Sequence, residues 1–232
     1  MAAPEKFYEY CAGCGISLQS ADLEAHEKFL WLLLGENRVM NLTAATTREE
    51  VWLRHIADSL LLVPLLEEAS TVIDVGTGGG LPGIPLAIQR PDLRLTLLEA
   101  THKKCGFLER AVAELELNHV TVQCERSETA ARDATLREHF DYAIARAVAP
   151  LPVLLEFTVP FVREGGAVLA MKGAQAGREL AEAKNALRIL HCSLEEMFEP
   201  GNHGSCVLVI RKRGPTPDTY PRRTGIPAKR PL

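Results

Sequence analysis

Apolar positions recur along the 232 residues with two different periods, and the change from one to the other divides the chain. Residues 22 to 40, "DLEAHEKFLWLLLGENRVM", space Leu23, Phe29, Leu30, Leu33 and Leu34 along one face of a helix, with acids at its start. A second helical segment follows from Thr47, "TREEVWLRHIADSLLLVPLL", headed by the Thr-x-x-Glu pattern in which side chains and backbone cap one another. From Thr71 onward short apolar runs take over, at 71–76, 94–100, 120–125, 141–147 and 167–172. Helical patterns fill the gaps near 83–90, 102–117, 127–138, 150–162 and 175–190.

Strands of this buried type alternating with helices predict an α/β fold, a doubly wound parallel sheet with helices on both faces. The alternation breaks at the end. "SLEEMFEP", "GNHGS" and "CVLVIRKR" predict two strands joined by a glycine-containing loop, an antiparallel hairpin closing the sheet. The last stretch, "GPTPDTYPRRTGIPAKRPL", is rich in proline and glycine and is expected to be irregular or extended. Three units are therefore expected: a helical extension over 1–68, an α/β domain over 69–213 and a tail over 214–232.

Composition narrows the function classes. A chain with 47% hydrophobic and 24% charged residues can bury a sizeable core. It holds no uninterrupted apolar run long enough to span a membrane, and its start lacks a basic region followed by an apolar one, so a cytoplasmic location is expected. The six cysteines are then expected as reduced thiols without a disulfide framework. Cys11-Ala-Gly-Cys14 has zinc or redox spacing but no second ligand pair, and no metal is expected. Charge is uneven: residues 211–232 carry +6 and the remainder −10, for a formal net charge of −4. A basic tail on an acidic body fits contact with a polyanion, although such tails also serve as plain solvated ends.

The densest chemistry lies in "TVIDVGTGGGLPG", residues 71 to 83. A strand, a glycine turn and a helix form a nucleotide site, because bare backbone turns sharply and admits a ligand closely. Gly78, Gly80 and Gly83 satisfy the dinucleotide pattern G-x-G-x-x-G, whereas Asp74, Gly76, Gly78 and Gly80 satisfy D-x-G-x-G-x-G. The second begins at the strand end, and a carboxylate there suits a positive ligand group, such as the α-ammonium of a methionine moiety, while repelling a pyrophosphate. Glu99 ends the second strand and is suited to the ribose hydroxyls of an adenosine-type ligand. The ribose alone does not separate S-adenosylmethionine from a nicotinamide cofactor; Asp74 and the terminal strand pair favour the former.

These residues resemble the class I S-adenosylmethionine-dependent methyltransferases, and more narrowly the RsmG family, also called glucose-inhibited division protein B, of bacterial 16S ribosomal RNA guanine-N7 methyltransferases. The resemblance rests on "NLTA" at 41, "HIADSLLL" at 55, "VIDVGTGGGLPGIPLAI" at 72, "KKCGFLERA" at 103, "ARAVAPL" at 145, "AMKG" at 170 and "YPRRTGIPAKRPL" at 220. It implies an S-adenosylmethionine pocket lined by Gly76 and Leu81, with Glu99, Ala100 and Thr101 on the ribose side. Ser127 and Glu128 would border the adenine, and Arg146 would complete the pocket beside the methyl group. The implied substrate is the guanine at position 527 of small-subunit rRNA, the implied partner the small ribosomal subunit, and the expected state a monomer.

The target atom has independent support. Methylation of an exocyclic base amine usually goes with an Asn/Asp-Pro-Pro-aromatic loop after the fourth strand, where this chain has "IARAVAP". Guanine N7 carries its own lone pair and needs no general base. Arg146 and Lys172, at strand ends on the cofactor rim, are the expected catalytic residues, and with Arg222 and Arg223 the expected RNA contacts. His55 and Asp58, three apart on a helix, share a face; such a pair is commonly a structural hydrogen bond, and the family motif sets it at the pocket mouth. Two rivals stay open: a nicotinamide-dependent oxidoreductase, and a non-catalytic ribosome-binding factor that retains the cofactor pocket.

Overall fold

Strands β1 (Thr71–Val75), β2 (Arg94–Glu99), β3 (Val120–Cys124), β4 (Phe140–Arg146), β5 (Val162–Lys172), β6 (Cys192–Phe198) and β7 (Cys206–Lys212) form one sheet in the order β3-β2-β1-β4-β5-β7-β6. The computed structural model describes residues 2–199 and 204–232, so part of the expected "GNHGS" loop lies outside the described residues. β1 to β5 pair in parallel, while β7 lies antiparallel between β5 and β6. The terminal hairpin thus closes the sheet with its second strand inward.

Side chains alternate across this sheet because successive residues of a strand face opposite ways. Val72, Leu95, Ile144 and Leu169 join one core with the N-terminal helices, and Ile73, Val75, Ala143, Ala145 and Val168 join a second with the helices behind. The first core also holds Phe7, Phe29, Leu33 and Trp52, so the N-terminal 68 residues share a core with the sheet. They comprise α1 (Glu5–Gly13), α2 (Ser20–Met40), α3 (Arg48–Val51), a π turn (Trp52–Ile56) and α4 (Ala57–Leu60). The capping pattern at Thr47 forms as expected: Glu50 N donates to Thr47 Oγ1 at 3.2 Å and Thr47 N to Glu50 Oε2 at 3.3 Å.

The connections are α5 (Gly83–Gln89), α6 (His102–Glu114), α7 (Ser127–Ala130), α8 (Leu151–Thr158), α9 (Ala176–Glu182) and α10 (Lys184–Ile189). The helix expected over 127–138 stops after four residues, because Asp133 Oδ1 takes both the N–H and the hydroxyl of Thr135, each at 2.8 Å. Such local side-chain bonds compete with helix propagation. The order reverses between β1 and β4, and in open α/β sheets the crevice at the carboxyl ends of such a pair is where ligands bind.

Candidate active site

The loop leaving β1 is organised from beneath by Asp74. Its side chain is fully buried; Oδ2 accepts the Thr77 hydroxyl at 2.5 Å and Gly83 N–H at 2.9 Å. A Cβ at Gly83 would stand 2.7 Å from Asp74 Oδ2 and 2.4 Å from Leu97 Cδ2, so this glycine permits α5 to start against the carboxylate. Both glycine patterns are therefore used, the dinucleotide-type third glycine as the partner of Asp74. Asp74, expected from the sequence to suit a positive ligand group, lies under the loop rather than on its surface. Its Oδ1 is nonetheless buried and unpartnered among the described residues. Burial pushes the carboxyl up to about 7, against the hydrogen bonds of Thr77 and Gly83 and the charge of Arg146.

Above Asp74, Gly78 adopts a φ of +60°, and its N–H donates to Glu99 Oε2 at 3.1 Å. Thr101 N–H donates to Glu99 Oε1 at 2.8 Å, so backbone amides hold the carboxylate from both sides. Gly76, Glu99, Ala100, Ser127 and Glu128 line a cavity of about 410 Å³. Gly78 and Thr101 reach it through Glu99; Leu81 is buried in the first core, and a Cβ at Gly80 would meet Ile84 at 2.5 Å.

Arg146, at the end of β4, lines a neighbouring cavity with Asp58, Lys172 and Ser205. Val148 lines both cavities, and a Cβ on Gly76 would lie 2.9 Å from its Cγ2. Arg146 Nη1 donates to Asp58 Oδ2 at 3.1 Å and to the Arg54 carbonyl at 3.2 Å, while Nη2 donates to His55 Nδ1 at 3.1 Å. His55 and Asp58 thus act together on Arg146. With Nδ1 accepting, His55 Nε2 carries the hydrogen and donates to Thr43 Oγ1, inside the "NLTA" stretch. Burial, and then the Arg146 charge, push the imidazole down to about 4, so it is neutral at pH 7. The π turn carries both Arg54 and His55, an instance of wide turns recurring at functional sites.

Two expected cations are otherwise engaged. Lys172 lines the Arg146 cavity, but its ammonium donates to the Ala149 carbonyl at 2.8 Å and to Glu179 Oε2 at 2.7 Å, and its side chain is 8% exposed. It braces the segment after β4, and a free charge for RNA or catalysis is not what this geometry offers. Arg222 is paired with Glu156, which is fully buried on α8. The tail that carries it is docked; only its α11 (Ile226–Lys229) is regular. Arg223 is exposed.

Two further features escaped the sequence. Lys6, Tyr10 and Arg54 line a third cavity, of about 500 Å³, that meets the Arg146 cavity at Asp58 and Ser205. The signal was present in α1 as Phe7 and Cys11, one turn apart and both buried. Cys105 and Cys124 are joined in a disulfide, against the expectation of reduced thiols throughout. The β2–β3 register sets Cys124 opposite Glu99, six residues before Cys105, and the Cα separation of 5.9 Å suits the bond. Among the described residues no cluster of three or more potential metal ligands occurs, and no helix is long and apolar enough to cross a membrane.

Similarities to known proteins agree with this arrangement. The chain resembles the ribosomal RNA small subunit methyltransferase G of Moorella thermoacetica, 43% identical over 94% of this chain and 93% of that one. The same-named protein of Carboxydothermus hydrogenoformans is 43% identical over 98% and 99%, and that of Streptococcus pneumoniae 38% identical over 99% of each. Among solved structures, an O-methyltransferase from Bacillus cereus in complex with SAH superposes with a TM-score of 0.58 at 16% identity, over 88% of this chain and 96% of that one. The likeness at that identity is one of fold. The GidB family model, described as rRNA small subunit methyltransferase G, matches residues 22–203. On these matches the chain belongs to the rRNA small subunit methyltransferase G family.

Proposed function

We propose that this protein transfers a methyl group from S-adenosylmethionine to N7 of a guanine in small-subunit ribosomal RNA. The observation that carries the reading is the pair of cavities meeting at Val148, one lined by Gly76 and Glu99 and the other by Arg146. The first has a volume typical of a small-molecule site. The buried, unpartnered Asp74 Oδ1 fits a cationic ligand group beside the glycine loop, as the methionine moiety provides. Glu99, with Ala100 and Thr101, would hold the ribose side, and Ser127 and Glu128 would border the adenine. A nicotinamide cofactor is less well served, because a carboxylate beneath the loop opposes a pyrophosphate.

When bound, S-adenosylmethionine supplies a methyl group on a positively charged sulfur. The new N7–carbon bond forms as the carbon–sulfur bond breaks, its electron pair stays on sulfur, and the purine becomes cationic. No side chain has to remove a proton, consistent with a neutral His55 whose Nδ1 already accepts from Arg146. Held by Asp58 and His55, Arg146 is fixed to orient the O6 edge of guanine or a flanking phosphate. Asp58 and Glu99 contribute negative charge near the cavities, which favours a cationic product. The exposed Arg54 and Arg223 are the residues we assign to RNA phosphates, together with Lys6. In this reading residues 1–68 wall the substrate side, and 69–213 carry the cofactor.

The test is incubation with tritiated S-adenosylmethionine and small-subunit RNA or particles lacking the modification, followed by nucleoside digestion and chromatography. Label in 7-methylguanosine is expected. Cofactor binding with no transfer to any RNA form would instead favour a non-catalytic ribosome-binding factor.

A further inference from the structure

We infer that the C-terminal strap, residues 222–230, is the outer wall of the adenine side of the cofactor cavity, and that Glu156 and Glu128 are positioning residues that hold it there. The inference rests on the proposed identity of that cavity. Its inner side is built from the ends of β1 and β2 and the segment after β3; facing them are Thr224, Gly225 and Ala228 of the strap. Only α11 is regular within the strap, so side-chain and backbone fastenings decide where this wall stands.

Those fastenings are specific. Glu156, fully buried, accepts the Arg222 backbone N–H at 2.7 Å, its Nε at 2.9 Å and its Nη2 at 2.6 Å. Arg222 Nη2 also donates to the Arg230 carbonyl at 2.7 Å, so one guanidinium ties both ends of the strap to α8. Between these ends, Gly225 N–H donates to Glu128 Oε1 at 3.0 Å, with Gly225 at a φ of +81°. Glu128 itself lines the cavity and is 7% exposed. Charge-assisted bonds to a buried carboxylate are the strong kind, and losing one partner leaves the other uncompensated. A separate set secures the chain before the strap: Arg132 donates to the Pro221 carbonyl, and Arg137 to those of Tyr220 and Thr216 at 3.0 Å each. Loosening Glu156 or Gly225 therefore frees the wall without undocking the rest of the tail.

The test uses the full-length protein, S-adenosylhomocysteine as probe, and the variants Glu156→Gln and Gly225→Pro. The second removes the N–H given to Glu128 and cannot adopt a positive φ; because Gly225 has open space around it, this change leaves the core untouched should Glu156→Gln fold poorly. Both are expected to raise the Kd of S-adenosylhomocysteine and the KM for S-adenosylmethionine at least tenfold while kcat at saturation stays within twofold. In the unmodified protein, S-adenosylhomocysteine is expected to slow tryptic cleavage after the exposed Arg223 and Lys229 about tenfold, and the variants are expected to lose that protection. A folded variant that binds as tightly as the unmodified protein, or that loses kcat at unchanged KM, overturns the inference. Failure of the unmodified protein to bind the probe overturns instead the assignment of the cavity.

Discussion

Arg146 reaches Asp58 and His55 over the same 3.1 Å, so one guanidinium ties the end of β4 to the π turn and α4. Replacing Asp58 by Asn removes the charged partner and keeps the shape. A charge-assisted hydrogen bond contributes about 1.5–3 kcal/mol, which corresponds to roughly 10- to 100-fold in rate. Methyl transfer by Asp58→Asn is expected to fall by about that factor while S-adenosylhomocysteine affinity is unchanged. Arg146→Ala is expected to abolish transfer and keep cofactor binding. Unaltered turnover in Arg146→Ala would remove Arg146 from the mechanism, and in Asp58→Asn would remove Asp58 as its support.

On the proposed reading, Asp74 is expected to make cofactor binding pH-dependent. Its carboxyl sits at about 7 before binding, raised by burial above the ordinary 3.8, so at pH 6 most molecules carry the proton. A cationic ligand group needs the ionised form. Between pH 6 and pH 7.5 affinity for S-adenosylhomocysteine is therefore expected to rise about eightfold, from the protonation equilibrium alone. Isothermal titration across this range, with Asp74→Asn as the pH-insensitive control, checks it. A flat profile in the unmodified protein would mean that Asp74 serves only the loop.

His26 supplies a stability test remote from the site. It is fully buried on α2 against Trp52, neither ring nitrogen makes a hydrogen bond among the described residues, and Gln89 is the polar side chain facing it. Burial holds the imidazole down to about 3, against 6.5 ordinarily. Because the folded value is the lower one, this contribution to stability is intact above pH 6.5 and is lost as pH falls. By pH 5.5 the loss is about 1.4 kcal/mol. His26→Leu is expected to show a shallower acid limb in urea unfolding at pH 5.5 to 7.5, with stability at pH 7 raised by about 1 kcal/mol through removal of unpaired polar atoms.

Two glycines of the loop are expected to respond differently to alanine. At Gly83 the new methyl meets Asp74 and Leu97, an overpacking cost of about 1–3 kcal/mol. At Gly78 the obstacle is the positive φ, with no atom closer than 4.0 Å, and the cost is about 1 kcal/mol. Chemical denaturation ranks the two. Equal losses would contradict the close contact at Asp74.

The features legible in the sequence were those with a local signature. The strands announced themselves by apolar runs, the loop by its glycines, and the start of α3 by Thr47 and Glu50. What stayed hidden depends on distant partners. Arg222 reads as a solvated or RNA-binding charge because nothing nearby reveals Glu156, 66 residues earlier; the Glu128 to Gly225 bond spans 97. Lys172 misleads for a related reason, since its partner Glu179 lies across a turn and into α9. Asp74 was legible as important but not as buried, because a strand's end does not say which side the following loop will cover.

The insertion of β7 between β5 and β6 has a consequence for biosynthesis. As the chain emerges in order, β6 appears first yet has no place on the sheet until β7 has paired with β5. The outer edge of β5, with its unpaired amides and carbonyls, stays open until translation has passed Lys212. The part of the second core supplied by Cys206, Leu208 and Ile210 is therefore completed only with β7, and until then the nascent chain presents an edge to which another strand can add.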